Sequence, residues 1–112
     1  MIRSGNRVVV IPVRQVDFIE SADNYVIIHS GGATHLIRQT MQELIASLDP
    51  QKFLRVHRSA AVNLDRVREL RVESHGEALA LLDTGATVKV SRYRRAELEQ
   101  ALSLLSLFNR RR

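Results

Sequence analysis

The sequence of 112 residues contains no cysteine and no tryptophan, and aromatic residues make up only 4% of it. Without cysteine the chain has neither disulfides nor thiolate metal ligands, which agrees with a cytoplasmic location. Scarce aromatic side chains argue against a single-strand nucleic-acid binder, because such proteins stack bases on aromatic rings. The longest apolar runs, 8–12 and 104–108, are too short to cross a membrane. We therefore expect one domain over residues 1–112 without membrane contact.

Signals of catalysis and metal binding are also missing. There is no glycine-rich phosphate fingerprint and no Gly-x-Ser-x-Gly elbow. His57 lies close to Ser59, but nucleophilic catalysis also needs an orienting group and an oxyanion site. His29 and His35 can meet across a hairpin, but no cluster of carboxylates joins them as zinc binding would require. We expect a protein that is not an enzyme and that holds no metal and no cofactor.

The positive charge is unevenly distributed. The net charge is +5, and basic and acidic residues cancel through Leu54, so the whole excess lies from Arg55 onward. A pI near 10.7 with far more arginine than lysine fits a phosphate-rich partner. For the charge alone, the alternative is that it simply keeps a small domain in solution.

The pattern of apolar residues predicts a mainly β chain. Thr40 and Glu43 form a capping box that begins a short central helix, and Asp49-Pro50 ends it. The spacing of five apolar residues predicts a C-terminal helix with one apolar face, formed by Leu98, Ala101, Leu102, Leu105 and Phe108. Segment 53–62 is expected to be irregular. A buried strand is predicted at 8–12, and further strands at 16–21, 25–30, 34–38, 67–72, 78–82 and 87–90, with turns at 22–24, 31–32, 74–77 and 83–85.

Two arginine clusters are the most informative positive feature. Phe53–Asn63 and Val90–Arg95 each place arginines beside small hydroxyl residues and an apolar anchor. Arginine binds phosphate oxygens bidentately and reads guanine edges in the major groove. We expect Arg58 to contact nucleic acid from a loop that His57 braces and that three apolar residues anchor. Those anchors are Phe53, Val56 and Val62.

Further candidates lie outside the first cluster. Asn24, at a predicted hairpin tip, is able to read adenine, although Asp and Asn also suit turns for structural reasons. Arg92 is expected to contact nucleic acid. Arg94 and Arg95 are expected to be either phosphate contacts or solvated charges on the helix. The apolar face of that helix is either core or, as the alternative, a dimer contact.

Three blocks of this sequence, in order, resemble the LytTR DNA-binding domain. They are Ile19–Val26, Phe53–Asn63 and Val90–Arg92, and the likeness runs from about residue 7 to 105. The resemblance implies an elongated antiparallel β-sheet architecture with one short central helix and a C-terminal helix. It also implies loops that insert into successive major grooves of double-stranded DNA. Many members read Ser-Arg-Arg-Tyr where this chain has Ser91-Arg92-Tyr93-Arg94, which leaves open which side chain enters the groove.

The resemblance further implies the partners and the site. The expected function is that of the effector domain of a bacterial response regulator in a two-component system. It would bind promoter repeats as a dimer and be joined to a receiver or sensor domain in the full-length protein. The alternative is a basic RNA-binding or protein-interaction module without sequence readout. Tail 109–112 is expected to be disordered. The expected DNA-binding residues are Asn24, Tyr25, His57, Arg58, Ser59, Ser91, Arg92, Tyr93, Arg94 and Arg95.

Overall fold

Short antiparallel strands make up most of the fold. The computed structural model describes residues 2–105, with side chains from residue 5 onward, so Phe108 and the tail 109–112 lie outside the described residues. The helices are α1 (Met41–Ala46) and α2 (Arg95–Leu105). The strands are β1 (Ile2–Ser4), β2 (Arg7–Val9), β3 (Phe18–Ala22), β4 (Tyr25–Ser30), β5 (Ala33–Ile37), β6 (Phe53–His57), β7 (Ala60–Asn63), β8 (Val67–Val72), β9 (Ala78–Leu82) and β10 (Thr87–Val90).

The strands form two main sheets and a separate hairpin. One sheet has the order β5-β4-β3-β7-β6, the other has the order β10-β9-β8, and β1 pairs only with β2. Every pair is antiparallel. The molecule measures 52 × 26 × 23 Å. The predicted mainly β, elongated antiparallel architecture with two helices is therefore confirmed.

Strand β7 is buried on both faces and separates two cores. Ala60 and Val62 face the three-stranded sheet and α2, whereas Ala61 faces α1. Successive side chains of a strand point to opposite faces, so both faces of β7 are covered. The inter-sheet core includes Val56, Val62, Ala80, Leu82, Val88, Val90, Leu98 and Leu102. The α1 core includes Val16, Ile19, Val26, Ile28, Met41, Phe53 and Ala61.

Local signals in the sequence predicted several elements correctly. The capping box is formed, since Thr40 Oγ1 accepts from Glu43 N at 3.1 Å and Glu43 Oε1 accepts from Thr40 N at 3.0 Å. The Thr40 backbone N–H and then its hydroxyl stabilise the carboxylate and lower the pKa of Glu43. Strand 25–30 has the predicted bounds, and both glycines of its turn, Gly31 and Gly32, have positive φ. Leu98 and Leu102 of the predicted helix face are buried.

Two predicted segments are wrong. Segment 53–62 is not irregular but forms the β6–β7 hairpin. Polar residues within β6 and the absence of alternation in the doubly buried β7 concealed these strands from the sequence pattern. Segment 8–12 is not a buried strand, because β2 ends at Val9 and its hairpin pairs with neither main sheet. Val10 is accordingly 70% exposed.

The register of β4 and β5 also separates two histidines. His29 lies opposite Thr34, and His35 lies opposite Ile28, so the two imidazoles are on opposite faces of the sheet. His29 instead stacks on Phe18, with ring centroids 3.9 Å apart, and its Nε2 contacts a carboxylate oxygen of Glu20. In residues 2–105 no group of three or more potential metal ligands comes together. No helix in this part of the chain is long and apolar enough to span a membrane.

Candidate nucleic-acid interface

The sheet brings the three sequence-predicted segments to one end. Strands β3 and β7 are antiparallel neighbours, and Ser21 N donates to Ser59 O at 2.9 Å. The 23–24 turn after β3 and the 58–59 turn before β7 therefore emerge on the same side. Ser91 N donates to Val56 O at 2.8 Å, which places segment 91–95 beside the same end of β6. Residues far apart in the chain thus form one surface.

The 58–59 turn is braced by its own side chains. His57 Nδ1 lies 2.8 Å from Ser59 Oγ and accepts from Ser59 N at 3.2 Å. His57 is half-buried, whereas Arg58 and Ser59 are exposed. The Arg58 guanidinium takes part in none of the ion pairs or side-chain hydrogen bonds found within residues 5–105. The turn therefore presents an unpaired cation from an ordered backbone.

The anchors of this turn come from both cores. Val56 and Val62 are fully buried in the inter-sheet core, whereas Phe53 is buried in the α1 core. The sequence predicts that all three anchor the turn in the core, and all three are buried. They clamp the β6–β7 hairpin from opposite faces, which restricts the turn more than packing on one face would.

The 23–24 turn carries Asn24 at an exposed tip. Asp23 has a φ of +56°, a left-handed conformation that Asp and Asn adopt more readily than most residues. Asn24 and Tyr25 are exposed beyond it. The preference of Asp and Asn for turns therefore explains Asp23, which has the left-handed conformation. It does not explain Asn24, whose side chain is exposed to solvent.

Segment 91–95 presents its charges unequally. The Arg92 guanidinium lies 4.9 Å from the centroid of the Tyr93 ring and donates to Tyr93 Oη at 2.8 Å. Both side chains are exposed, while Ser91 is half-buried. Arg95 Nε donates to Glu99 Oε2 at 2.9 Å, and Arg94 Nη1 lies 3.9 Å from a carboxylate of α2. Arg92 is thus the cation of this segment without a carboxylate partner among the described residues.

Three features of this end escaped the sequence interpretation. Arg38 is exposed just after β5, whose Ile37 pairs with Val26 beside the 23–24 turn. Arg55 donates from Nη2 to the carbonyl oxygen of Arg58. The sequence pattern indicates only the charge of these two residues, and the Arg-x-His-Arg spacing is the one further signal for Arg55. The third feature is the 74–76 turn, in which a Cβ on Gly76 would lie 3.4 Å from Arg92 Cβ.

The surface is not uniformly basic. Glu73 and Glu77 line a cavity of about 170 Å³ together with His57 and Lys89. His75, at the adjoining turn, is exposed and has a φ of +61°. A phosphate would be repelled beside these carboxylates and attracted beside Arg58 and the segment that follows β10. This uneven charge orients any polyanion that approaches the end of the sheet.

The fold defines an elongated antiparallel β domain with exposed arginines at one end. A profile of the LytTr DNA-binding domain matches residues 6–103. The chain therefore belongs to the LytTR family of DNA-binding domains. The family assignment made from three short sequence blocks is confirmed.

Individual relatives agree with this assignment. The transcriptional regulatory protein BtsR of Escherichia coli K12 is 35% identical over 88% of this chain and 41% of its own length. An uncharacterised response regulatory protein of Vibrio cholerae is 29% identical over 70% of this chain and 32% of its own length. The chain thus spans about two fifths or less of these curated relatives. A LytTr DNA-binding domain from a Bacillus cereus response regulator has the same fold, with a TM-score of 0.79, 23% identity, and coverage of 89% of this chain and 92% of that one.

Proposed function

We propose that this domain binds double-stranded DNA sequence-specifically as the effector of a bacterial transcriptional regulator. The convergence of the 23–24 turn, the 58–59 turn and segment 91–95 at one end of the sheet is the observation that carries the proposal. Membership of a family of DNA-binding domains supports DNA as the partner. The similarity to BtsR, a transcriptional regulatory protein, supports the regulatory function. The proposed activity is binding without catalysis, in the cytoplasm.

Binding would begin with electrostatic capture and finish with groove insertion. Arginines of the second half of the chain replace counterions on the phosphates, which makes association depend on salt. The 23–24 and 58–59 turns are about two strand spacings apart, roughly 10 Å, and would enter one stretch of major groove. Segment 91–95, which lies beyond β6, would bind in the next major groove. Bending of flexible base steps would then add indirect readout.

Different side chains would play different parts. Arg58 is proposed to read a guanine edge, because its guanidinium is exposed and has no protein partner. Arg92, held over the Tyr93 ring, is proposed to enter the second groove. His57 and Ser59 order the turn, and both are proposed to contact the backbone of the duplex. The remaining proposed contacts are Asn24, Tyr25, Arg38, Ser91, Arg94 and Arg95, the last two on phosphates.

The assembly is proposed to be a dimer on promoter repeats. Two copies would occupy adjacent repeats on one face of the duplex, and a receiver or sensor domain would control them in the full-length protein. The relatives named as response regulators support such a partner domain. Mass measurement of the complex formed on one repeat and on two repeats tests the dimer. A single copy on two repeats would contradict it.

The rival function is a basic module that binds RNA or acidic protein without reading sequence. Tyr93, which is 80% exposed, offers one ring on which a single-stranded base could stack. The test begins with duplexes selected from a random pool. Affinity for a selected duplex, a scrambled duplex and a single strand is then compared at one salt concentration. Single strands that compete as well as the selected duplex would favour the rival.

Substitution of Arg58 tests the site itself. Arg58→Ala is expected to weaken binding to the selected duplex by about 1–3 kcal/mol and to affect the scrambled duplex much less. The matched control is Arg68→Ala, which removes an exposed arginine near the start of β8. Equal losses on both duplexes would reduce Arg58 to a phosphate contact. Unchanged affinity for both would remove it from the interface.

A further inference from the structure

We infer that Arg55 is a positioning residue that fixes the 58–59 turn for base reading and does not itself contact DNA. The inference rests on the proposed function, because it concerns how Arg58 is presented. Arg55 lies on β6, is half-buried, and donates from Nη2 to the carbonyl oxygen of Arg58. The Arg55 guanidinium thus binds the backbone of Arg58, the residue proposed to read a base.

An irregularity in the hairpin explains why this contact matters. Arg55 pairs with Ala61 and His57 pairs with Ala60, so Val56 is an extra residue that forms a β-bulge. A bulge interrupts the ladder and bends the strand, so the regular hydrogen bonds of the hairpin hold the turn less firmly. The Arg55 side chain spans this interruption, from the strand before the bulge to the turn after it.

The other bonds at this turn hold Ser59 rather than Arg58. His57 Nδ1 accepts from Ser59 N, and Ser59 O accepts from Ser21 N at 2.9 Å. The carbonyl of Arg58 is held by the Arg55 guanidinium. This peptide group is attached to the Arg58 Cα, so holding it restrains the backbone from which the Arg58 side chain projects. Base readout requires that supporting contacts hold the reading group to within about 0.5 Å.

The burial of Arg55 argues against a direct phosphate contact. Its Nε is buried and has no hydrogen-bond partner among the described residues. An arginine that binds phosphate normally has its guanidinium exposed to solvent, because all five N–H donors are then available. In Arg55 the Nε–H is buried, and Nη2 donates to the Arg58 carbonyl oxygen. Its side chain faces the same side of the sheet as Ala61 of the α1 core.

The test compares a selected duplex and a scrambled duplex over a range of salt concentrations, together with melting temperature. Arg55→Met keeps the apolar stem and removes the donors, and Arg68→Met is the matched control. We expect about a tenfold loss on the selected duplex, as for one base contact. We expect the scrambled duplex to be bound within about twofold of the parent affinity, with the same salt slope.

A double substitution makes the test specific. In an Arg58→Ala background, Arg55→Met is expected to cause no further loss, because positioning has no effect without the group to be positioned. Arg55→Lys keeps the positive charge and the apolar stem. It replaces Arg55→Met in the test if the methionine variant does not fold. It should show the same selective loss, since an ammonium lacks the fixed donor geometry of a guanidinium.

Three outcomes would overturn the inference. Equal losses on both duplexes with a salt slope reduced by about one would identify a phosphate contact. Full affinity of Arg55→Lys and Arg55→Met for the selected duplex, with Arg58→Ala impaired, would refute the positioning role and leave the proposed function intact. If Arg58→Ala itself leaves the selected duplex bound at full affinity, the proposed role of the turn fails, and the inference fails with it.

Discussion

Replacement of Phe53 by alanine tests whether the β6–β7 hairpin is anchored from the α1 side. Phe53 is 2% exposed and belongs to the α1 core with Met41 and Ile19. Truncation of a buried phenylalanine usually costs about 3–5 kcal/mol, because apolar contacts are lost and a cavity remains. The Phe53 ring also lines grooves of about 310 and 370 Å³ beside α1. Neighbouring side chains can shift toward that space, so we expect the lower end, about 3 kcal/mol.

The expected change is large enough to measure by two methods. For a domain of this size, 1 kcal/mol shifts Tm by roughly 4 °C, so Phe53→Ala should lower Tm by about 12 °C. Urea unfolding should show a reduced midpoint with an unchanged m value, since the exposed area on unfolding is nearly the same. A loss below about 1 kcal/mol would show that this ring does not anchor the hairpin.

Arg92→Ala is the companion variant for this experiment. Arg92 is exposed, and alanine retains the Cβ that lies near the 74–76 turn. Its stability should therefore stay within about 0.5 kcal/mol of the parent, while affinity for the selected duplex falls. If Arg92→Ala lowers Tm as much as Phe53→Ala does, Arg92 is structural and its assignment to the interface is wrong.

Three further predictions concern stability, pH and salt. Asn63→Ala should destabilise by about 1–3 kcal/mol in thermal unfolding, because the buried amide donates to Val16 O at 2.8 Å and accepts from Asp65 N at 3.0 Å. Folding lowers the pKa of Glu43 below its ordinary 4.5, so the stability that its charge contributes is present above that value and is lost as the pH falls through the folded-state pKa. The Tm difference between the parent and Glu43→Gln should follow this course, and a difference independent of pH would refute it. Affinity for duplex DNA should fall linearly on a log–log plot against salt, and a flat plot would exclude phosphate contacts.

Local chemistry determined much of this protein from the sequence alone. The bond between Thr40 and Glu43 spans three residues, so its effect does not depend on the rest of the fold. The Gly31-Gly32 turn and the alternation of 25–30 are likewise short-range signals, and strand and turn formed where predicted. The three family blocks identified the LytTR domain because they occur in order over nearly the whole chain.

Tertiary structure alone decided which residues meet and which face is covered. Segment 8–12 has the composition of a buried strand, but Val10 is exposed and the first hairpin pairs with neither main sheet. The pairing of β3 with β7 brings Asn24 and Arg58 to one end, although 33 residues separate them in the chain. The Arg55 guanidinium reaches the Arg58 carbonyl across the bulge at Val56. Each of these contacts depends on strand register, which is set by burial across the whole sheet and not by any short stretch of sequence.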